Sequence, residues 1–132
     1  MKKTFRTIAV IMGTIMICVA ASKPKPPVGM YKNLQVLPAN TSSKVLNRIM
    51  VDGFNDELGV SCSFCHAENK ETKQPDYASD EKPEKEIARA MMRMTIGINN
   101  KYFEMKDAMI GDSVLAVGCG TCHHGQAQPD NQ

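Results

Sequence analysis

Tryptophan is absent from this chain of 132 residues, and tyrosine and phenylalanine are scarce, so aromatic residues make up only 5% of the sequence. Aromatic side chains supply much of the buried area in a small core. A chain of this length allows about one domain. We therefore expect that a component other than the side chains helps to fill the centre of that domain.

A strong excess of charge is also missing. The formal net charge is +2, and the first six residues contribute three of the positive charges. The rest of the chain is therefore close to neutral. Proteins that bind nucleic acids usually carry a basic patch or stripe, so we expect no nucleic-acid partner.

Only one long apolar run is present. Ile8–Ala21 has 14 residues without a charge and follows a short basic region. A membrane-spanning helix needs about 20 such residues, whereas this layout is typical of a secretory signal peptide. We predict that residues 1–21 are a signal peptide for export to the periplasm, with an uncleaved membrane anchor as the alternative. Cys18 follows Ile17 and not a small residue, so lipidation is not expected.

The chain after the predicted signal peptide, residues 22–132, divides by composition into three parts. Residues 22–40 begin with "SKPKPPV" and are predicted to form a Pro/Lys-rich tether and an extended arm. Residues 41–125 are predicted to form the helical domain, in which the polar segment 67–82 is a surface loop. Residues 126–132 are a loose tail.

Two helices are predicted in this domain. Thr41 or Ser42 is expected to cap the first helix and Gly59 to end it, and its apolar face consists of Val45, Leu46, Ile49 and Met50. The second begins at Pro83, with Ser79 or Asp80 as its cap. Its apolar stripe is expected to face the core, and its members are Ile87, Met91, Met94, Ile98, Tyr102, Met105 and Met109.

One five-residue pattern, Cys-x-x-Cys-His, occurs twice. It lies within "VSCSFCHAEN" (60–69) and "VGCGTCHHGQ" (117–126). The two copies contain four of the five cysteines and two of the three histidines in the chain. The first motif is therefore Cys62, Cys65 and His66, and the second is Cys119, Cys122 and His123.

This pattern is typical of covalent attachment of c-type haem. A spacing of three on a helical turn places both sulfurs along one edge of the porphyrin, where they form thioethers with its vinyl groups. The next residue then directs its imidazole to the iron. Paired disulfides or structural zinc are the alternatives, but neither explains the histidine after each pair. We predict two haem c groups, which would also supply the missing core.

An electron-transfer haem needs a second axial ligand. His124 directly follows His123 and must point elsewhere, which leaves the 10 methionines. Met50 lies 12 residues before Cys62, at the end of the apolar face of the first helix. For the second haem, spacing leaves four candidates open: Met91, Met94, Met105 and Met109.

The chain resembles the tetrahaem cytochrome c subunit of photosynthetic reaction centres, on the segments "YKNLQVLP", "LGVSCSFCH", "EIARAMMRMTIGIN" and "CGTCHHG". In that family a Met in the helix before each haem-binding turn usually binds the iron. The resemblance implies that Met50 serves the iron held by His66. It also implies that Met91 serves the iron held by His123, with Met94 one turn further along.

The sequence also departs from that family. It has two motifs where the family has four haems, and "NKYFEM" lacks the histidine that the family's long helix sends to a distant haem. His124 also stands where the family often has Arg. We therefore expect a shorter, two-haem form.

The expected fold is all-α, with two units of helix, turn and haem-binding motif. The expected function is a periplasmic electron carrier that passes single electrons between redox partner proteins, without acting as an enzyme and without a small-molecule substrate. A small peroxidase-like haem enzyme with one open axial site is the main alternative. A tethering module that depends on the Pro/Lys arm is a third.

Overall fold

The computed structural model describes residues 31–112 and 114–129. The elements in these residues are α1 (Ser43–Arg48), a π-helical segment (Ile49–Asp56), α2 (Cys62–Cys65), β1 (Ala67–Glu68), β2 (Pro75–Asp76), α3 (Pro83–Tyr102) and α4 (Gly120–His123). The predicted signal peptide lies outside the described residues. None of the described helices combines the length and the apolar character that a bilayer span requires.

The arm, residues 31–38, forms no strand, as predicted. Leu37 is buried, and Leu34 and Val36 pack against the core around it. The Nδ2 of Asn33 donates a hydrogen bond to the carbonyl of Ala78 at 2.6 Å. The arm is therefore attached to the domain by apolar packing and by hydrogen bonding.

The first helix begins close to the predicted position. The hydroxyl of Ser42 accepts a hydrogen bond from the Val45 N–H at 3.3 Å, so one of the two predicted caps is confirmed. Ile49 is only 2% exposed and lies at the centre of the core. From Ile49 onward the helix widens into the π segment, whose longer turn rearranges which side chains share a face.

The segment between the first motif and α3 is more ordered than the predicted loop. Ala67 pairs with Asp76, and Glu68 pairs with Pro75, in a short antiparallel ladder. The Oδ1 of Asn69 accepts hydrogen bonds from the backbone N–H groups of the next turn, at 2.9 to 3.0 Å. Because this Asn turn closes a ladder of only two residues, alternating hydrophobicity could not reveal it. The ladder is an addition to the predicted all-α fold.

The start of α3 at Pro83 is confirmed, but its predicted cap is wrong. Lys82 precedes the helix and makes no side-chain cap bond. The Ser79 hydroxyl instead accepts from the Glu81 N–H at 3.2 Å, and the Asp80 carboxylate takes part in ion pairs with α3.

The apolar stripe of α3 does not face a core of side chains, and that prediction is wrong. Ile87 is 57% exposed, Met91 41% and Met94 51%. The buried residues of the helix are instead Arg89, Met92, Thr95 and Asn99. Periodicity identifies an apolar face that needs covering, but it does not identify what covers it.

The core is small for a chain of this size. Six hydrophobic residues are buried in the described part of the chain, and four of them form its central cluster: Leu37, Ile49, Met92 and Ile110. This agrees with the expectation from the composition that side chains alone fill little of the interior.

Asn99 holds the segment before the second motif against α3. Its side chain is fully buried. The Nδ2 donates to the carbonyls of Thr95 at 2.9 Å and Val117 at 2.8 Å. The Oδ1 accepts from the N–H groups of Ala116 at 2.9 Å and Val117 at 3.1 Å. All four hydrogen-bonding positions of the amide are therefore used.

Replacing Asn99 with Ala should lower the free energy of unfolding by about 2–4 kcal/mol, because three backbone groups of Ala116 and Val117 lose their partner. Denaturant unfolding of the purified protein measures the change. Asn100→Ala is the control, since Asn100 is exposed and its side chain accepts one bond, from Ala108. Equal stability of the two variants would contradict this role.

Candidate haem-binding sites

The first motif opens onto a cavity of about 780 Å³. This volume lies within the range of about 300–1,000 Å³ that is usual for small-molecule and cofactor sites. Its walls come from the arm, α1 with the π segment, the first motif, the residues around β2, and one face of α3. The apolar lining includes Leu34, Val36, Leu37, Leu46, Met50, Val51, Phe54, Val60, Ala88 and Met92.

Cys62, Cys65 and His66 line this cavity together with Met50. Local structure explains the grouping. The Cys62–Cys65 turn follows the π segment closely in the chain, and the π segment carries Met50. Met92 of α3 also lines the cavity and is buried. Met92 is not among the methionines that spacing makes candidates, although the "AMMRM" run contains it.

His66 has a buried nitrogen without a partner. Its Nδ1 makes no hydrogen bond within the described residues, and its ring meets the Tyr77 ring edge-on at 5.0 Å. Burial, and then the nearby Lys85 ammonium, lower the pKa of His66. The imidazole therefore favours the neutral form, which is the form that binds metals.

Ion pairs close the side of the cavity next to α3. The Asp80 carboxylate contacts the Arg89 guanidinium at 2.9 Å and the Lys85 ammonium at 3.3 Å. Asn33 of the arm donates to the same carboxylate at 2.9 Å. Hydrogen bonds from Asn33 and then Arg89 hold the pKa of Asp80 well below its usual range. This network joins the arm, the segment after β2 and α3 around the cavity.

The second motif forms α4, and a hydrogen bond orients the imidazole ring of its histidine, His123. The Nδ1–H of His123 donates to the carbonyl of Gln126 at 3.0 Å. This bond fixes the tautomer in which Nε2 is unprotonated, as is common for histidines that bind metals. His124 follows in the left-handed region, with φ of 49°, and is exposed, so it lies apart from this arrangement.

The helix of the first unit holds the second motif in place. The Glu57 carboxylate accepts from the Gly120 N–H at 2.5 Å, and the Glu57 carbonyl accepts from the Gly125 N–H at 3.0 Å. Gly59 lies next to this contact in the left-handed region, with φ of 65°. A Cβ atom at Gly59 would overlap the Gly125 carbonyl oxygen. The backbone just before the first motif is therefore packed against the backbone just after the second.

The four described cysteines are free thiols. Burial and then Glu84 raise the pKa of Cys65, and burial and then Glu57 raise the pKa of Cys119. One thiol of each motif therefore forms the thiolate less readily, which slows its oxidation. Within residues 31–112 and 114–129, no three His, Cys, Asp or Glu side chains come close enough to hold a metal ion.

A family comparison identifies the class of this chain. The sequence model of the family described as "Photosynthetic reaction centre cytochrome C subunit" matches residues 10–132. The chain belongs to this family. Membership implies covalently bound haem c, and it confirms the resemblance found in the sequence.

Two curated relatives carry names from the same class. Cytochrome c-554 of Chloroflexus aurantiacus is 33% identical over 92 residues, which cover 70% of this chain and 20% of the relative. The photosynthetic reaction center cytochrome c subunit of Roseobacter denitrificans is 34% identical over 104 residues, which cover 76% of this chain and 25% of the relative. The chain thus spans between a fifth and a quarter of the length of these relatives.

The residues at the first motif fit a haem c group. Two thiols, an imidazole with a buried unpaired nitrogen, and a thioether line one largely apolar cavity. At the second motif the fit rests on different features. His123 is oriented by Gln126, and the side chains of two α3 methionines, Met91 and Met94, are exposed.

Gly59→Ala should destabilise the protein by about 1–3 kcal/mol, because the left-handed backbone is strained with a side chain and the Gly125 carbonyl must move. Thermal or denaturant unfolding measures the loss. Gly53→Ala is the matched control, since a Cβ there meets nothing within 4 Å and alanine favours the helix. A destabilised Gly53 variant beside an unaffected Gly59 variant would contradict the contact.

Proposed function

We propose that this cytochrome is a periplasmic dihaem electron carrier, with one haem c on Cys62, Cys65 and His66 and the other on Cys119, Cys122 and His123. The observation that carries the proposal is the first cavity, in which the complete first motif and a methionine share one apolar lining. The same five-residue pattern at the second motif extends the proposal to a second haem.

Met50 is the proposed second axial ligand of the first haem. It lines the cavity from the π segment, whereas the motif lines it from α2. Met92 also lines the cavity, but it belongs to the central hydrophobic cluster, and Met50 packs against that cluster from outside. A partly buried methionine at the cavity wall is better placed to turn toward an iron than one fixed in the core.

Met91 is the proposed second axial ligand of the second haem, and this assignment comes from the family resemblance. Its support in the structure is that Met91 and Met94 lie on an apolar face of α3 where their side chains are exposed, at 41% and 51%. A porphyrin on this face would bury a stripe that is otherwise exposed to water.

The chain's own residues bind, orient and shield the haems. A bound haem c supplies an iron that gains and loses one electron. The histidine and methionine ligands favour the reduced state relative to two histidines, and filled axial positions exclude substrates. Two haems on so short a chain lie within electron-tunnelling reach of each other, so the proposed partners are redox proteins that give and take single electrons.

The peroxidase-like alternative requires an open iron with an acid–base group above it. Arg89 lines the first cavity, but its guanidinium is paired with Asp80 at 2.9 Å and Glu86 at 3.0 Å. Carbon monoxide separates the two functions, since it binds readily to an open ferrous haem and poorly to one capped by methionine.

Met50→Ala should remove the near-infrared charge-transfer band of one haem and lower its reduction potential. The expected decrease is on the order of 0.1 V, within the range of about 0.8 V over which axial ligands act. A redox titration followed by absorbance measures it. Met92→Ala is the control, because it should reduce stability through a core cavity and leave the band in place. The reverse pattern would make Met92 the ligand.

Met91→Ala should produce the same spectral and redox change in the other haem, with the Met50-sensitive haem unaltered. Met94→Ala is the comparison, because Met94 lies one turn further along α3 and is also exposed. If Met94→Ala removes the band and Met91→Ala does not, the ligand assignment moves to Met94.

A further inference from the structure

Glu57 contacts both ends of α4, the helix of the second motif. Its carboxylate accepts a hydrogen bond from Gly120 at the start of α4, and its carbonyl accepts one from Gly125 just beyond the end of α4. Glu57 itself lies five residues before Cys62 in the chain. One residue of the first unit therefore helps to fix the position of the second motif, together with Asn99 of α3.

The carboxylate rests directly on the backbone of the second motif. A Cβ atom at Gly120 would stand 3.4 Å from the Glu57 Oε2, and one at Gly118 would stand 3.6 Å from it. Glu57 is half-buried. Among the ion pairs of the described residues, none neutralises Glu57. The Glu57 carboxylate therefore places a negative charge against the backbone of the second motif, and water reaches this carboxylate only in part.

The first motif is held by charges of the opposite sign. The Lys82 ammonium donates to the Ser63 carbonyl inside the motif. The Lys85 ammonium donates at 2.9 Å to the carbonyl of Tyr77, whose ring contacts His66. A cation thus binds the first motif through the Ser63 carbonyl, whereas an anion binds the second through the Gly120 N–H.

We propose that Glu57 is a positioning residue for the second haem: its hydrogen bonds fix α4, and its charge lowers the reduction potential of the haem held by His123. A fixed negative charge stabilises the oxidised iron, which carries one more positive charge than the reduced iron. The weak screening at a partly buried position preserves this effect in salt. This inference rests on the proposed dihaem function.

Glu57→Gln separates the charge from the contact. The glutamine carbonyl oxygen can still accept from Gly120, so both haems should remain attached. One of the two one-electron equilibrium constants should change by at least about threefold in favour of reduction. At about 59 mV per tenfold change, this raises the reduction potential of that haem by about 28 mV. Glu71→Gln is the control, because it makes the same chemical change at an exposed residue of the hairpin whose side chain has no ion pair.

The haem that responds must be the one that Met50→Ala leaves unchanged. Unaltered potentials in Glu57→Gln, a shift of the Met50-sensitive potential, or an equal shift in Glu71→Gln would overturn the role of the charge. Glu57→Ala, which also removes the contact, should reduce the fraction of molecules carrying two haems, as counted by intact mass. A full two-haem population at wild-type stability would overturn the positioning role.

These outcomes are distinct from a failure of the proposed function. If the wild-type protein lacked two one-electron steps, the dihaem proposal would fail before any variant was compared. If the wild type has both steps and Glu57→Gln changes neither, only the inference about Glu57 fails.

Discussion

We infer that this structure depends on one interaction, the contact between the apolar walls of the first cavity and a haem c group held there. The arm, the π segment and α3 face one another across a space of about 780 Å³. The central cluster has only four buried members among the described residues. We infer that a covalently held porphyrin completes the core. The chain then needs few aromatic side chains, because the porphyrin fills the space that they would otherwise occupy.

Local signals predicted the parts of the fold that local interactions determine. The Ser42 cap and the Pro83 start depend on a few neighbouring residues, and both are confirmed. The cap of α3, the short ladder and the buried face of α3 depend on partners distant in sequence. Asp80 cannot cap α3 because it binds Arg89 and Asn33, and no pattern within residues 79–83 reveals that competition.

The same distinction applies to the candidate sites. The Cys-x-x-Cys-His pattern identified the attachment residues, because one helical turn contains that chemistry. It could not identify Met92, Arg89 or Glu57, which reach the two motifs only through tertiary packing. Glu57 and Gly59 are of particular interest, since they join the units that the sequence presents as two separate repeats. The second unit is therefore built against the first, and changes at this contact should affect both.

The most direct test of the central claim is to count the haems on the exported protein by intact mass, together with a pyridine haemochrome assay. The expected result is a mass increase equal to two haem groups on each polypeptide and a haemochrome absorbance that agrees with it. A colourless product from a host that matures c-type cytochromes, or a product with a single haem, would contradict it.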